Sequence, residues 1–217
     1  MNRYDFSPCA PETGTTETDN GMIEGVTGVI LAGGASSRMG SNKALLRLNG
    51  TPLIELVYRT MSRLFNDIVI VTNSPREYAF IPCRTVADIY PGAGSIAGLH
   101  AGMTASVTER IFAAACDMPF LNPLLIRMLC GYDREAEAVV PLNDEGFFEP
   151  LHAVYAVSAR ERARQVIEQG DRSILILLDR LSTVLIPRQV IRSIPGAGQS
   201  FRNINTPAEF QEALGRR

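Results

Sequence analysis

Tryptophan is absent from these 217 residues, histidine occurs twice and cysteine four times. The cysteines, at 9, 83, 116 and 130, form no Cys-x-x-Cys pair. They fit reduced cytosolic thiols rather than a disulfide framework or a zinc ribbon. His100 and His152 have no histidine or cysteine at ligand spacing, so structural roles are expected for both. No apolar run approaches the ~18 residues that a membrane span needs. The N-terminus lacks the charged-then-apolar pattern of a secretory signal, and a cytoplasmic protein is expected. Charge of one sign is lacking too: Lys+Arg total 21 against Asp+Glu 23, a net charge of -2. That balance argues against nucleic-acid backbone binding but leaves room for a local basic pocket.

What is present is a globular composition, 46% hydrophobic and 20% charged. A chain of this size buries a substantial core without staples. Residues 1–24 are polar and turn-rich without apolar periodicity, which predicts a disordered tail. Residues 25–217 are expected to form a single domain. Val26–Leu31, Ile68–Val71, Thr85–Ala87, Ile111–Ala115, Ala138–Pro141 and Leu151–Val157 read as strands. Between them lie helical patterns: Thr51 (N-cap) and Pro52 (N1) opening a helix to Phe65, then Gly94–Met103, Pro123–Cys130, Ala159–Gln169 and Ser173–Leu181. Thr206-Pro207-Ala208-Glu209 is a capping box for a last helix. Such alternation implies a mostly parallel central sheet covered by helices on both faces, with ligands at the carboxyl ends of the strands.

The first strand ends at Leu31-Ala32-Gly33-Gly34, followed by Arg38, Gly40 and Lys43. A glycine pair after a strand is by itself an ordinary turn. Joined by a guanidinium, a further glycine and an ammonium, it becomes a phosphate cradle of backbone donors and cations. Its spacing matches neither the dinucleotide fingerprint nor the Walker loop. Asp117, after the strand of small residues 111–115, suits a Mg²⁺ ligand that leaves positions for phosphate and water. Asp88 precedes a glycine-rich turn, and its carboxylate can accept from a guanine edge or a ribose hydroxyl.

Leu-Ala-Gly-Gly-x-Ser-x-Arg-Met-Gly-x-x-Lys, with Thr72-Asn73, Asp88 before Pro91-Gly92-Ala93-Gly94-Ser95, Cys116-Asp117-Met118-Pro119 and Asn203-Ile204-Asn205-Thr206-Pro207, resembles the molybdenum cofactor guanylyltransferase family. The resemblance runs from about Gly28 to Leu214. It implies a three-layer, Rossmann-like α/β nucleotidyltransferase fold and transfer of GMP from GTP to the phosphate of the molybdopterin cofactor, with Mg²⁺. By position it implies GTP binding by Leu31, Ala32, Gly33, Gly34, Lys43, Asn73, Asp88 and Asp117. It further implies catalytic roles for Arg38, Lys43 and Asp117, the metal on Asp117, and the pterin at Asn203 and Asn205. Expected partners are GTP, molybdopterin cofactor and the molybdoenzymes or chaperones that receive the product, with neither nucleic acid nor membrane. Two departures stand out: Asn42 where many members have Asp, and Glu149 where the family often has glutamine or another polar residue. A cytidylyltransferase of the same superfamily is the alternative, although the Gly33-Gly34 pair favours guanine. A binding module without catalysis and a sugar-phosphate nucleotidyltransferase fit the residues less well. Cys116 reads as a small core residue, and Arg160, Arg162 and Arg164 with Glu161 as a solvated helix face.

Overall fold

The central strand, β1 (Val26–Leu31), is buried along its whole length, with Val26 and Ile30 in one half of the core and Val29 and Leu31 in the other. Such a continuous apolar run suits a strand covered on both faces. A computed structural model of the chain describes residues 21–33, 42–204 and 209. Within residues 1–24 the described part includes Ile23, whose N–H donates to the Leu64 carbonyl at 2.7 Å. The final helix expected from Thr206 lies outside the described residues, apart from helical Glu209.

β1 pairs in parallel with β4 (Ile68–Val71) on one side and β6 (Arg110–Ala115) on the other. The seven-stranded sheet has the order β5-β4-β1-β6-β8-β7-β9, where β5 is Arg84–Val86, β7 Ala138–Pro141, β8 His152–Ala156 and β9 Thr183–Ile186. β8 runs antiparallel to β6 and β7, so the sheet is mostly parallel with one reversed strand. The chain leaves β1 toward β4 and returns to the far side of β1 with β6. The carboxyl ends of β1 and β6 therefore flank a topological switch point, where open α/β sheets bind ligands.

One face is covered by α1 (Leu53–Met61) and α3 (Pro123–Tyr132), whose apolar residues pack with Ile30, Ile70 and Phe112. The other is covered by α2 (Ser95–Ala105), backed by α4 (Arg160–Glu168) and α5 (Ile174–Leu178). Every residue of α2 from Ile96 to Met103 is buried, because the helix lies between the sheet and α4. Small residues permit that: a Cβ on Gly102 would stand 2.6 Å from Val29 Cγ1.

Thr51 and Pro52 do not open a helix. They form a short strand, β3, paired with β2 (Arg47–Leu48) around Asn49-Gly50, both with positive φ (49° and 83°). Asn-Gly is the residue pair that such a two-residue hairpin turn requires. α1 begins at Leu53 and ends at Met61, short of Phe65. β9 forms the far edge of the sheet and α6 (Arg188–Arg192) follows it; neither is among the expected elements, although Thr183–Ile186 is an apolar run bounded by Ser182 and Pro187.

Candidate active site

Three chain segments meet at the carboxyl edge of the sheet. Leu31 ends β1 and Ala32 follows it, each 7% exposed, and Gly33 stands free of the core. Ala32 N–H still donates to Val71 of β4 at 2.9 Å, and the Leu31 carbonyl receives the Cys116 N–H at 3.2 Å. The turn carrying Asp117 is thus tied directly to the end of β1. Gly34 and Arg38 lie outside the described residues.

Lys43 opens a single 3₁₀ turn, Lys43–Leu45, capped by Asn42, whose Oδ1 accepts the Ala44 N–H at 3.1 Å. Burial pushes the Asp117 carboxyl above its ordinary value, while Lys43, together with a backbone hydrogen bond, pulls it back down. Lys43 thus lies near enough for its charge to reach Asp117. Burial likewise pushes the Cys116 thiol up to about 12, so it is no thiolate nucleophile.

Asn73 and Asp88 form a second cluster. Asn73 Nδ2 donates to Asp88 Oδ2 at 3.1 Å, and the Asp88 N–H donates back to Asn73 Oδ1 at 3.0 Å. The pair is held beside Gly33: a Cβ built there would lie 3.9 Å from Asp88 Oδ2. Behind it, Gly98 of α2 leaves room for Leu31 Cδ2 and Asp88 Oδ1, which a Cβ there would meet at 3.0 and 3.7 Å. Burial raises the Asp88 carboxyl above its usual range, and the Asn73 hydrogen bond opposes this.

The C-terminal segment closes the opposite side. The Ile204 N–H donates to the Asp117 carbonyl at 3.0 Å, which sets exposed Asn203 next to the acidic turn. Asn205 lies outside the described residues. Beneath this segment His152 is fully buried between the rings of Phe112 and Phe201, with Nε2 3.4 Å from Ser200 Oγ and no partner for Nδ1. Burial pushes its pKa down to about 3, so the ring is neutral and structural. His100, in α2 against Tyr90, also has its pKa lowered by burial. Glu149 is half-buried at the same sheet edge, and its Oε1 accepts from Asn143 at 2.8 Å. Arg162 and Arg164 pair with Glu137, Glu161 and Glu168, as expected of a solvated helix face.

Sequence reasoning passed over two residues behind these side chains, Tyr78 and Glu77. Gly98 stands four residues after Gly94 on a helix of small residues, a legible sign of close approach. Tyr78 carried no local sign of its hydroxyl's partners.

The architecture is that of a nucleotidyltransferase: the end of β1 at Leu31–Gly33, a lysine and a carboxylate lie at the switch point of an open α/β sheet. Residues 28–184 match the MobA-like NTP transferase domain, and the chain belongs to that family. It is 36% identical over 193 residues to the molybdenum cofactor guanylyltransferase of Desulfosudis oleivorans, covering 88% of this chain and 95% of that one. The Yersinia pestis enzyme of the same name is 34% identical over 191 residues, covering 87% and 94%. Among solved structures, molybdopterin-guanine dinucleotide biosynthesis protein A from Archaeoglobus fulgidus superposes with a TM-score of 0.75 at 33% identity. That match covers 86% of this chain and 96% of that one.

Proposed function

We propose that this chain transfers GMP from GTP to the phosphate of molybdopterin cofactor, releasing diphosphate and forming the guanine dinucleotide cofactor. The observation that carries the reading is the meeting of Leu31–Gly33, Lys43 and Asp117 at the switch point, with Cys116 bonded to Leu31 and Lys43 acting on the Asp117 charge. Relatives named molybdenum cofactor guanylyltransferase over most of the chain support the choice of substrates.

In this reading the backbone of Leu31, Ala32, Gly33 and Gly34 lies along the nucleotide. Asn73 orients Asp88, whose remaining lone pairs accept from the guanine edge or ribose. Arg38 and Lys43 neutralise the β- and γ-phosphates, and Asn203 and Asn205 face the pterin. The acceptor phosphate attacks the α-phosphorus in line, the α–β bridging bond breaks, and diphosphate departs with the electron pair. That nucleophile is already ionised at neutral pH, so no general base is needed, in keeping with two histidines whose pKa values burial lowers. Catalysis then rests on positioning and charge stabilisation.

Asp117 would hold a divalent cation, Mg²⁺ by its chemistry. Among the described residues no cluster of three or more metal-ligating side chains exists. A single desolvated carboxylate suits a cation that keeps water and takes its other ligands from phosphate. When bound, the ion neutralises and orients phosphate oxygens. We place the reaction in the cytoplasm, with molybdoenzymes or their chaperones taking the product. No helix among the described residues is long and apolar enough to cross a membrane, and Cys83, Cys116 and Cys130 are free thiols.

The test is diphosphate release from GTP with Mg²⁺ and molybdopterin cofactor, in competition with CTP. GTP- and acceptor-dependent release is the expected result. Equal or greater incorporation from CTP would reassign the base, and no release with either nucleotide would remove the enzymatic reading. Lys43→Ala should reduce turnover by about two orders of magnitude, as loss of a preorganised charge does.

A further inference from the structure

We propose that Asn42 is the positioning residue for Lys43, fixing the lysine relative to the end of β1 through the buried hydroxyl of Tyr78. The inference rests on the assignment of Lys43 to the triphosphate made above. One end of the Asn42 side chain caps the turn that Lys43 opens, with Oδ1 accepting the Ala44 N–H at 3.1 Å. The other end points away from the turn: Nδ2 donates to the Tyr78 hydroxyl at 2.8 Å and to Glu77 Oε2. Tyr78 is 2% exposed, and its hydroxyl donates onward to the Ala32 carbonyl at 3.4 Å. A phenol can accept one hydrogen bond and donate another at once, so the relay Asn42–Tyr78–Ala32 is chemically consistent in direction.

The relay joins Ala32 and Asn42, which lie on either side of residues 33–41 in the sequence. It anchors both to Glu77 and Tyr78, in the segment that follows Asn73. A primary amide fits this place because it carries an acceptor on one atom and two donors on the other. A carboxylate, which many family members carry at this position, keeps the cap; in this chain it loses both donations and faces Glu77 with a second negative charge. The lysine then shifts although its own side chain is untouched. Catalysis of this kind is sensitive to such shifts, since a misplacement of ~1 Å typically lowers the rate about a hundredfold.

The experiment measures kcat and KM for GTP by diphosphate release in Asn42→Asp, Lys43→Ala, the double variant of the two, and Asn42→Asp with Glu77→Gln. For Asn42→Asp, kcat should fall about ten- to a hundredfold with KM changed less than about threefold, because charge on the leaving diphosphate grows as the bond breaks. Glu77→Gln should restore kcat to within about fivefold of native, its amide donating to the introduced carboxylate. On a Lys43→Ala background Asn42→Asp should have no further effect. Native turnover in Lys43→Ala would remove the lysine's assignment itself. Impaired Lys43→Ala beside native Asn42→Asp would overturn the positioning role alone. Failure of Glu77→Gln to restore kcat, or an equal loss on the Lys43→Ala background, would also overturn it. Should Asn42→Asp not fold, Tyr78→Phe keeps the buried ring and reads the same relay: a fall in kcat at constant KM is expected, and native kcat overturns the proposal.

Discussion

Replacing Asp117 with asparagine removes one negative charge and little else. The backbone carbonyl of residue 117 still receives the Ile204 N–H at 3.0 Å, so the segment bearing Asn203 keeps its anchor. Burial holds the Asp117 carboxyl above its ordinary value in spite of Lys43. An acid whose pKa is higher folded than unfolded binds more protons in the folded state between the two values, so stability falls as pH rises through that window. Above the window the buried charge is a net cost to the folded protein, which an amide does not carry. The variant should therefore melt at or above the native temperature at pH 7, and the difference should shrink toward pH 4. Turnover should move the other way. Removing a preorganised charge from such a site costs about 3–4 kcal/mol of transition-state stabilisation, a few hundredfold in rate. Diphosphate release with GTP, Mg²⁺ and pterin cofactor measures the second effect, and thermal melts at the two pH values measure the first. Turnover within about tenfold of native would refute the role of the carboxylate. A melting temperature lowered by more than ~5 °C at pH 7 would refute the burial argument.

Gly102→Ala should destabilise the fold by about 1–3 kcal/mol, because overpacking against Val29 at 2.6 Å outweighs the helix propensity gained; denaturant midpoints measure this, and turnover per folded molecule should be native. Gly98→Ala displaces Leu31 and crowds Asp88 from behind, so KM for GTP should rise about threefold or more. A native KM would show that the Asp88 cluster does not contact the nucleotide. His152 has a folded-state pKa of about 3, well below its ordinary value, so the unfolded chain takes up the proton first as pH falls. Stability should drop by about 1.4 kcal/mol per pH unit from this group between its unfolded and folded pKa values. His152→Gln should remove that slope from a urea-unfolding series between pH 6 and 4; an unchanged slope would assign it to the carboxylates instead.

Chain-local chemistry was legible in the residues. Apolar runs, β-branched in β4 and rich in alanine in β6, marked β1, β4 and β6, because a strand buried on both faces is largely apolar. The glycine pair with Lys43, and Asp117 after β6, are legible as a candidate phosphate site because their spacing along the chain carries the signal. Thr51-Pro52 misled because the pair suits a helix start and a short strand equally, and the Asn49-Gly50 turn before it decided for the hairpin.

Tertiary structure alone decided the rest. The reversal of β8 follows from pairing on both sides, which no single strand encodes. That Lys43 acts on Asp117, that Asp88 leans on Gly98, and that Asn42 reaches Tyr78 across 36 positions are consequences of register and packing. A local pattern records which groups a segment offers. Which groups meet depends on the closing of distant loops around a shared core, and that is a property of the whole chain.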